Sequence, residues 1–206
     1  MKNLGAKPSS DKIYNYFCEK WIDTRAFGQV ITFDNNSIGI RGPVSISIGR
    51  SFSPILATTM QITRSTNGME ADEGKRSSDT MGSKNFVDFA VFYFKGSINP
   101  YFSEKTGFTE EDAMAIKEAL RTLFVNDASS ARPEGSMEVQ EIYWFTHPSK
   151  LGVASSAKIH GLVKSHLEAE LNRLPRNYED FQVGLDEEKA ALLEEKGLKI
   201  EIIPGY

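Results

Sequence analysis

Phe86-Val-Asp-Phe-Ala-Val-Phe-Tyr-Phe-Lys-Gly-Ser-Ile98 is the most strand-like stretch of this 206-residue chain. Phe89, Val91 and Tyr93 fall on one face at period two, and Ala90, Phe92 and Phe94 on the other. Two apolar faces predict a central strand covered on both sides. Downstream, Thr109 is placed to open a helix whose first turn holds Glu110, Glu111 and Asp112, where carboxylates suit the positive end of the helix dipole. Ala113, Ile116, Leu120, Leu123 and Phe124 make its predicted core face, ending near Asn126. A further strand is predicted over residues 138–145. Strand, helix and strand in succession are half of a ferredoxin-like unit, so the predicted class is α+β.

Upstream, a helix is predicted over residues 11–24, capped by Ser10, with Ile13, Phe17 and Trp21 as its buried stripe and Gly28 closing it. Residues 29–33 alternate like a strand, and Asp34-Asn-Asn-Ser37 is a turn signal. Residues 38–48 read as strand, with Pro43 marking an edge or a bulge because it has no N–H to donate. Residues 60–64 are another short strand. The polar, glycine-containing stretch 65–83 is long for a connection inside a compact domain, and such loops are usually functional or disordered. Towards the C-terminus, residues 157–167 read as strand or short helix, 181–185 as strand, 186–196 as a helix closed by Gly197, and 199–203 as a final strand. The expected organisation is one domain over residues 1–206, with 65–83 as an insertion and 151–206 as its most weakly defined region.

Lys and Arg number 24 and Asp and Glu 28, a net charge of −4. That excludes a polycation that coats nucleic acid everywhere but leaves room for a local basic surface. Residues 35–69 hold Arg41, Arg50 and Arg64 and no acid. No apolar run approaches the roughly 18 residues of a membrane span, and no secretory signal stands at the N-terminus. The single cysteine, Cys18, excludes an intrachain disulfide and a cysteine-based metal cluster. These features lead us to expect a cytoplasmic protein without a membrane partner, cofactor or metal.

Chemistry-bearing motifs are sparse. There is no glycine-rich phosphate loop and no His-x-x-x-His pair. His147, His160 and His166 are scattered; an RNA-cleaving pair is conceivable, but surface or half-buried histidines are the simpler reading. Ser129-Ser130 lacks the surroundings of a nucleophile elbow. The expectation is a protein without catalytic residues.

Six segments, in order and spacing, carry a resemblance: Asp23-Thr-Arg-Ala-Phe-Gly-Gln29, Ile40-Arg-Gly-Pro-Val-Ser45, Met60-Gln-Ile-Thr-Arg-Ser65, Thr80-Met-Gly-Ser-Lys84, Glu104-Lys-Thr-Gly-Phe-Thr109 and Asn126-Asp-Ala-Ser-Ser-Ala-Arg132. Together they resemble the backbone subunit of the CRISPR Cascade complex, the Cas-seven family, in its type I-C (Dvulg) form. The resemblance implies a non-catalytic, cytoplasmic antiviral-defence protein that polymerises along CRISPR RNA (crRNA) and presents the guide to target DNA. It also implies an RRM-like palm, a β-hairpin thumb folding over the RNA, and partners among further copies and the large, small and crRNA-processing subunits. Family members start with a strand and an Asn-Pro-Asn-Gly-Asp-like segment that this sequence does not show before Tyr14, so an N-terminally truncated palm is expected. The alternative reading is an RNA-processing endoribonuclease of related fold using His147 or His160.

A guide carrier grips phosphates and sugars and leaves base edges free. The candidate RNA contacts are therefore the cations and donors in or near the matched segments: Arg25, Gln29, Arg41, Gly42, Arg50, Gln61, Arg64, Ser83, Lys84, Ser129, Ser130 and Arg132. Arg41 leads, because the glycine beside it lets a strand backbone approach a ligand closely. Residues 65–83 are the candidate thumb, with Met69 at its tip as the candidate wedge between bases and Met60 or Met81 as the alternatives.

Overall fold

The computed structural model describes residues 8–33, 36–63, 81–167 and 174–206. Its elements in chain order are α1 (Ser10–Lys20), α2 (Ile22–Phe27), β1 (Gly28–Phe33), β2 (Asn36–Arg41), β3 (Val44–Ile46), β4 (Arg50–Ser51), β5 (Ala57–Thr63), β6 (Met81–Val87), β7 (Phe92–Tyr93), β8 (Gly96–Ile98), α3 (Pro100–Thr106), α4 (Glu110–Arg121), β9 (Glu141–Thr146), α5 (Ser156–His160), β10 (Val163–Lys164), a 3-10 turn (Tyr178–Phe181), β11 (Gly184–Leu185), α6 (Glu187–Glu194) and β12 (Lys199–Pro204). Helix and strand are mixed, as an α+β chain requires. The described strands pair two by two and antiparallel: β1–β2, β3–β8, β4–β7, β5–β6, β9–β12 and β10–β11. None of the described helices is long and apolar enough to cross a membrane.

The chain forms two compact units. The first comprises Met1–Ile48, Phe94–Ser165 and Val183–Tyr206. In it α1 lays Ile13 and Cys18 against Ile31 and Ile40 of the β1–β2 ladder. Ser9, not Ser10, caps α1, accepting from the Lys12 N–H at 3.4 Å. The expected single helix breaks at Trp21, whose extended backbone separates α1 from α2. A second cluster joins Ala26 of α2, Val44 of β3, Ala113 of α4 and Phe108 from the connection between α3 and α4. A third gathers Ile159, Leu162 and Leu198, with Phe145 and Ile200 packed against them from the β9–β12 ladder. Buried Lys117 reaches across from α4: its Nζ lies 2.9 Å from Glu201 and 4.9 Å from the Trp144 ring centroid.

Thr109 caps α4 through a full capping box with Asp112, which satisfies two N–H groups that the helix start leaves over. The helix closes at Arg121, and turns carry the chain on to Asn126, where φ is +60°. Helix α3 was not among the predicted elements. Asn99 caps it, Pro100 fills the first position where no N–H is needed, and Gly107 ends it in the left-handed region at φ +75°.

The second unit comprises Gly49–Tyr93 and His166–Gln182. Buried Phe181 sits among Phe52 and Phe89, with ring centroids 5.7 and 6.5 Å away, and Phe52 stacks on Tyr93 at 4.8 Å. Among the described residues its longest ladder is the seven-residue β5–β6 hairpin, running from Ala57↔Val87 to Thr63↔Met81.

The aromatic run at 86–98 is not one central strand. Its residues belong to three ladders: β6 with β5, β7 with β4, and β8 with β3. The chain leaves each partner to join the next, and Phe92 and Phe94 remain about half exposed, at 52% and 45%. Period-two alternation reports strand conformation; it carries no information about which partner each residue pairs with.

Candidate nucleic-acid interface

Arg25 is committed inside its own unit. Its Nε and Nη2 donate to Asp112 at 2.7 and 2.6 Å, and its Nη1 donates to the Cys18 and Glu19 carbonyls at 3.3 and 3.4 Å. This bidentate pair ties α2 and the end of α1 to the start of α4. Arg25 holds the Asp112 carboxyl below its ordinary value, against the burial that would raise it, and the Thr109 N–H adds to the effect. Gln29 stands at the same end of the β1–β2 ladder as Arg41, and its Oε1 accepts from Thr24 Oγ1 at 3.1 Å.

Arg41 is exposed at the end of β2 and has no carboxylate partner among the described residues. Its guanidinium carbon lies 4.2 Å from the centroid of the Phe102 ring on α3. The glycine next to it has a reason other than ligand approach. A Cβ on Gly42 would collide with the Ala26 carbonyl group and come within 2.6 Å of the Phe27 carbonyl carbon. Gly28, opposite Arg41, is equally tight: a Cβ there would meet the Ile40 carbonyl oxygen and lie 2.7 Å from the Gly42 nitrogen. The α2–β1 corner and the end of β2 thus touch backbone to backbone, and Arg41 projects from the seam.

Ser129, Ser130 and Arg132 share the exposed loop after α4. Ser129 and Arg132 close it on themselves: Ser129 N–H donates to the Arg132 carbonyl at 2.7 Å, Arg132 N–H to Ser129 Oγ at 3.1 Å, and the Arg132 side chain pairs with Asp127 at 3.1 Å.

In the second unit, Arg50 opens β4 opposite Tyr93, exposed and without a carboxylate partner among the described residues. The β5–β6 register gathers four of the expected residues. Met60 faces Lys84 and Gln61 faces Ser83. Alternation puts Thr58, Met60, Ile62, Gly82, Lys84 and Phe86 on one face of the hairpin, and Thr59, Gln61, Thr63, Met81, Ser83 and Asn85 on the other. The second face knits itself together, Thr59 Oγ1 donating to Asn85 at 2.7 Å and Gln61 Nε2 to Met81 Sδ at 3.2 Å. The first offers apolar Met60 and Ile62, 56% and 53% exposed, beside a lysine. Arg64 and Met69, and residues 65–80 of the expected thumb, lie outside the described residues. Ser83 belongs to β6 instead of the loop.

The rings of His147 and His160 are bonded within the fold. His147 Nδ1 accepts from the Val153 N–H at 3.2 Å, and His160 Nε2 lies 2.9 Å from the Gly96 carbonyl. No group of three or more potential metal ligands gathers among the described residues.

Phe102 was missed by the sequence reading, although the signals for its helix were present: Asn99-Pro100 at the start and Gly107 seven residues later.

An α+β chain in which surface Arg41 and Arg50 have no carboxylate partner among the described residues, and with an exposed hairpin of mixed apolar and cationic character, is equipped to meet an extended polyanion. The model of the CRISPR-associated protein Cas7 family matches residues 2–186, and the chain belongs to that family of crRNA-binding backbone subunits. No curated protein matches it.

Proposed function

We propose that this chain is a non-catalytic, crRNA-binding backbone subunit of a type I-C Cascade complex, assembling in several copies along the guide and presenting it to target DNA. The first unit serves as the RRM-like palm and the β5–β6 hairpin as the stem of the thumb. The other Cascade subunits, large, small and crRNA-processing, are its further partners, and the cytoplasm its compartment.

The observation that carries this reading is the β5–β6 hairpin. It exposes methionine and isoleucine beside lysine along its first face. A lone two-stranded hairpin is marginal in water, so such an element is built to be covered. Nucleobases supply apolar faces and phosphates supply charge, which suits both halves of that surface. Arg41 and Arg50 add cations without carboxylate partners among the described residues, and arginine forks fit phosphate oxygens.

Purification of the complex tests the reading. We expect RNA of crRNA length to accompany the protein in a particle several times the mass of one chain. A nucleic-acid-free monomer under the same conditions would overturn it. The endoribonuclease alternative has its own signature: repeat RNA cut by the isolated chain, with cutting abolished in His147→Ala. We expect the RNA to stay intact with both proteins.

A further inference from the structure

We infer that Phe102 is a positioning residue for RNA binding: it holds the Arg41 guanidinium in the orientation that meets phosphate. The inference rests on the crRNA-binding reading above and extends it to a residue that the matched segments do not contain.

Arg41 has two separate supports. Its backbone is fixed by the glycine seam, where the Gly42 and Ala26 backbones are in contact and Gly28 lies opposite. Its side chain is supported by the Phe102 ring, 4.2 Å from the guanidinium carbon. The ring is itself anchored. Asn99 N–H donates to the Pro43 carbonyl at 2.9 Å, two residues beyond Arg41, and Phe102 N–H donates to the Asn99 carbonyl at 3.1 Å. At the other end of α3, Phe108 is buried with Ala26 and Ala113. The helix that carries the ring is thereby pinned to the same seam that carries the arginine.

The chemistry favours this arrangement over a carboxylate partner. A carboxylate would occupy the N–H fork and neutralise the charge, as Asp112 does for Arg25. An aromatic face occupies only the flat side of the guanidinium. The N–H groups around its edge stay available and the positive charge is kept. Holding a flexible side chain in place before binding removes part of the ordering entropy that binding would otherwise cost. An exposed cation–π contact of this kind corresponds to roughly a two- to five-fold effect on affinity.

The test combines a double-mutant cycle with a measurement that needs no RNA. In the free protein, ring current from Phe102 should shift the Arg41 Nε–H resonance; the shift should persist in Phe102→Tyr and vanish in Phe102→Leu. Affinity for single-stranded guide RNA should fall about two- to five-fold in Phe102→Leu and recover in Phe102→Tyr. In an Arg41→Ala background, Phe102→Leu should have no further effect. An equal loss in both backgrounds would show that Phe102 acts through the fold or touches RNA by itself, and would overturn the inference. So would an Arg41 resonance indifferent to Phe102. If Arg41→Ala binds RNA as well as the parent while the ring-current shift is present, it is the assignment of Arg41 to RNA that fails, and the role of Phe102 in binding falls with it.

Discussion

Arg25 and Arg41 are the same residue type in neighbouring segments, and the fold puts them to different uses. Arg25 joins Asp112 in a fork with the carboxylate almost fully buried. Asp112→Asn should therefore destabilise the protein by about 1.5–3 kcal/mol at neutral pH, in the range of charge-assisted hydrogen bonds. The pH dependence follows from the lowered folded-state value of Asp112. Its contribution is fully present above the unfolded carboxyl value of about 3.9 and is lost as pH falls through the lower folded value. Urea melts between pH 7 and pH 2 should converge for parent and Asp112→Asn at the acid end; a constant difference would mean that the pair contributes by shape alone. Arg41→Ala, on an exposed side chain, should change stability by no more than about 0.5 kcal/mol. Gly42→Ala forces a methyl group into the Ala26 carbonyl, where only backbone can give way. A loss of about 1–3 kcal/mol in denaturant melts of RNA-free protein is expected, as for other overpacked sites. Unchanged stability with weakened RNA binding would return Gly42 to the role of admitting a ligand.

The β5–β6 hairpin makes the corresponding argument for an element. Along seven paired residues its described side chains are exposed or half-buried. Met60→Ser combined with Ile62→Ser removes apolar surface that the isolated chain leaves in water. The expected change in stability is within about 0.5 kcal/mol, whereas the RNA-bound oligomer should shorten or fail to form in size-exclusion runs with light scattering. A large loss of stability in the free monomer would mean that the hairpin packs on its own chain. Helix α4 illustrates the opposite case. Its capping box is closed by residues three apart, so its start is settled locally and was readable. The aromatic run that begins at the end of β6 was misread as one strand because its three partners, β5, β4 and β3, come from different parts of the chain.

At the scale of the whole molecule, a net charge of −4 rules out attraction of RNA by the overall field. Affinity must come from local cations, each adding about 0.7 to the salt slope on a single strand. If Arg41, Arg50 and Lys84 are the phosphate contacts, a plot of log affinity against log salt should have a slope of about −2. Each Arg→Ala variant should reduce that slope and weaken guides of unrelated sequence alike. A variant that changes the preference at one base would identify a base-reading side chain instead.

By itself the sequence determined what local chemistry decides: the capped start of α4, the helix stop at Gly28, the β1 and β5 strands, the α6–β12 ending, and a basic stretch empty of acids around Arg41 and Arg50. These depend on propensity, periodicity and neighbours a few residues apart. Only the tertiary structure decided which cations are left without a carboxylate partner. Arg25 meets Asp112 across 87 residues of chain, and Arg41 meets Phe102 on a helix folded back against its strand. Such contacts form when distant segments bury their apolar faces together, and local sequence pattern does not encode the pairing.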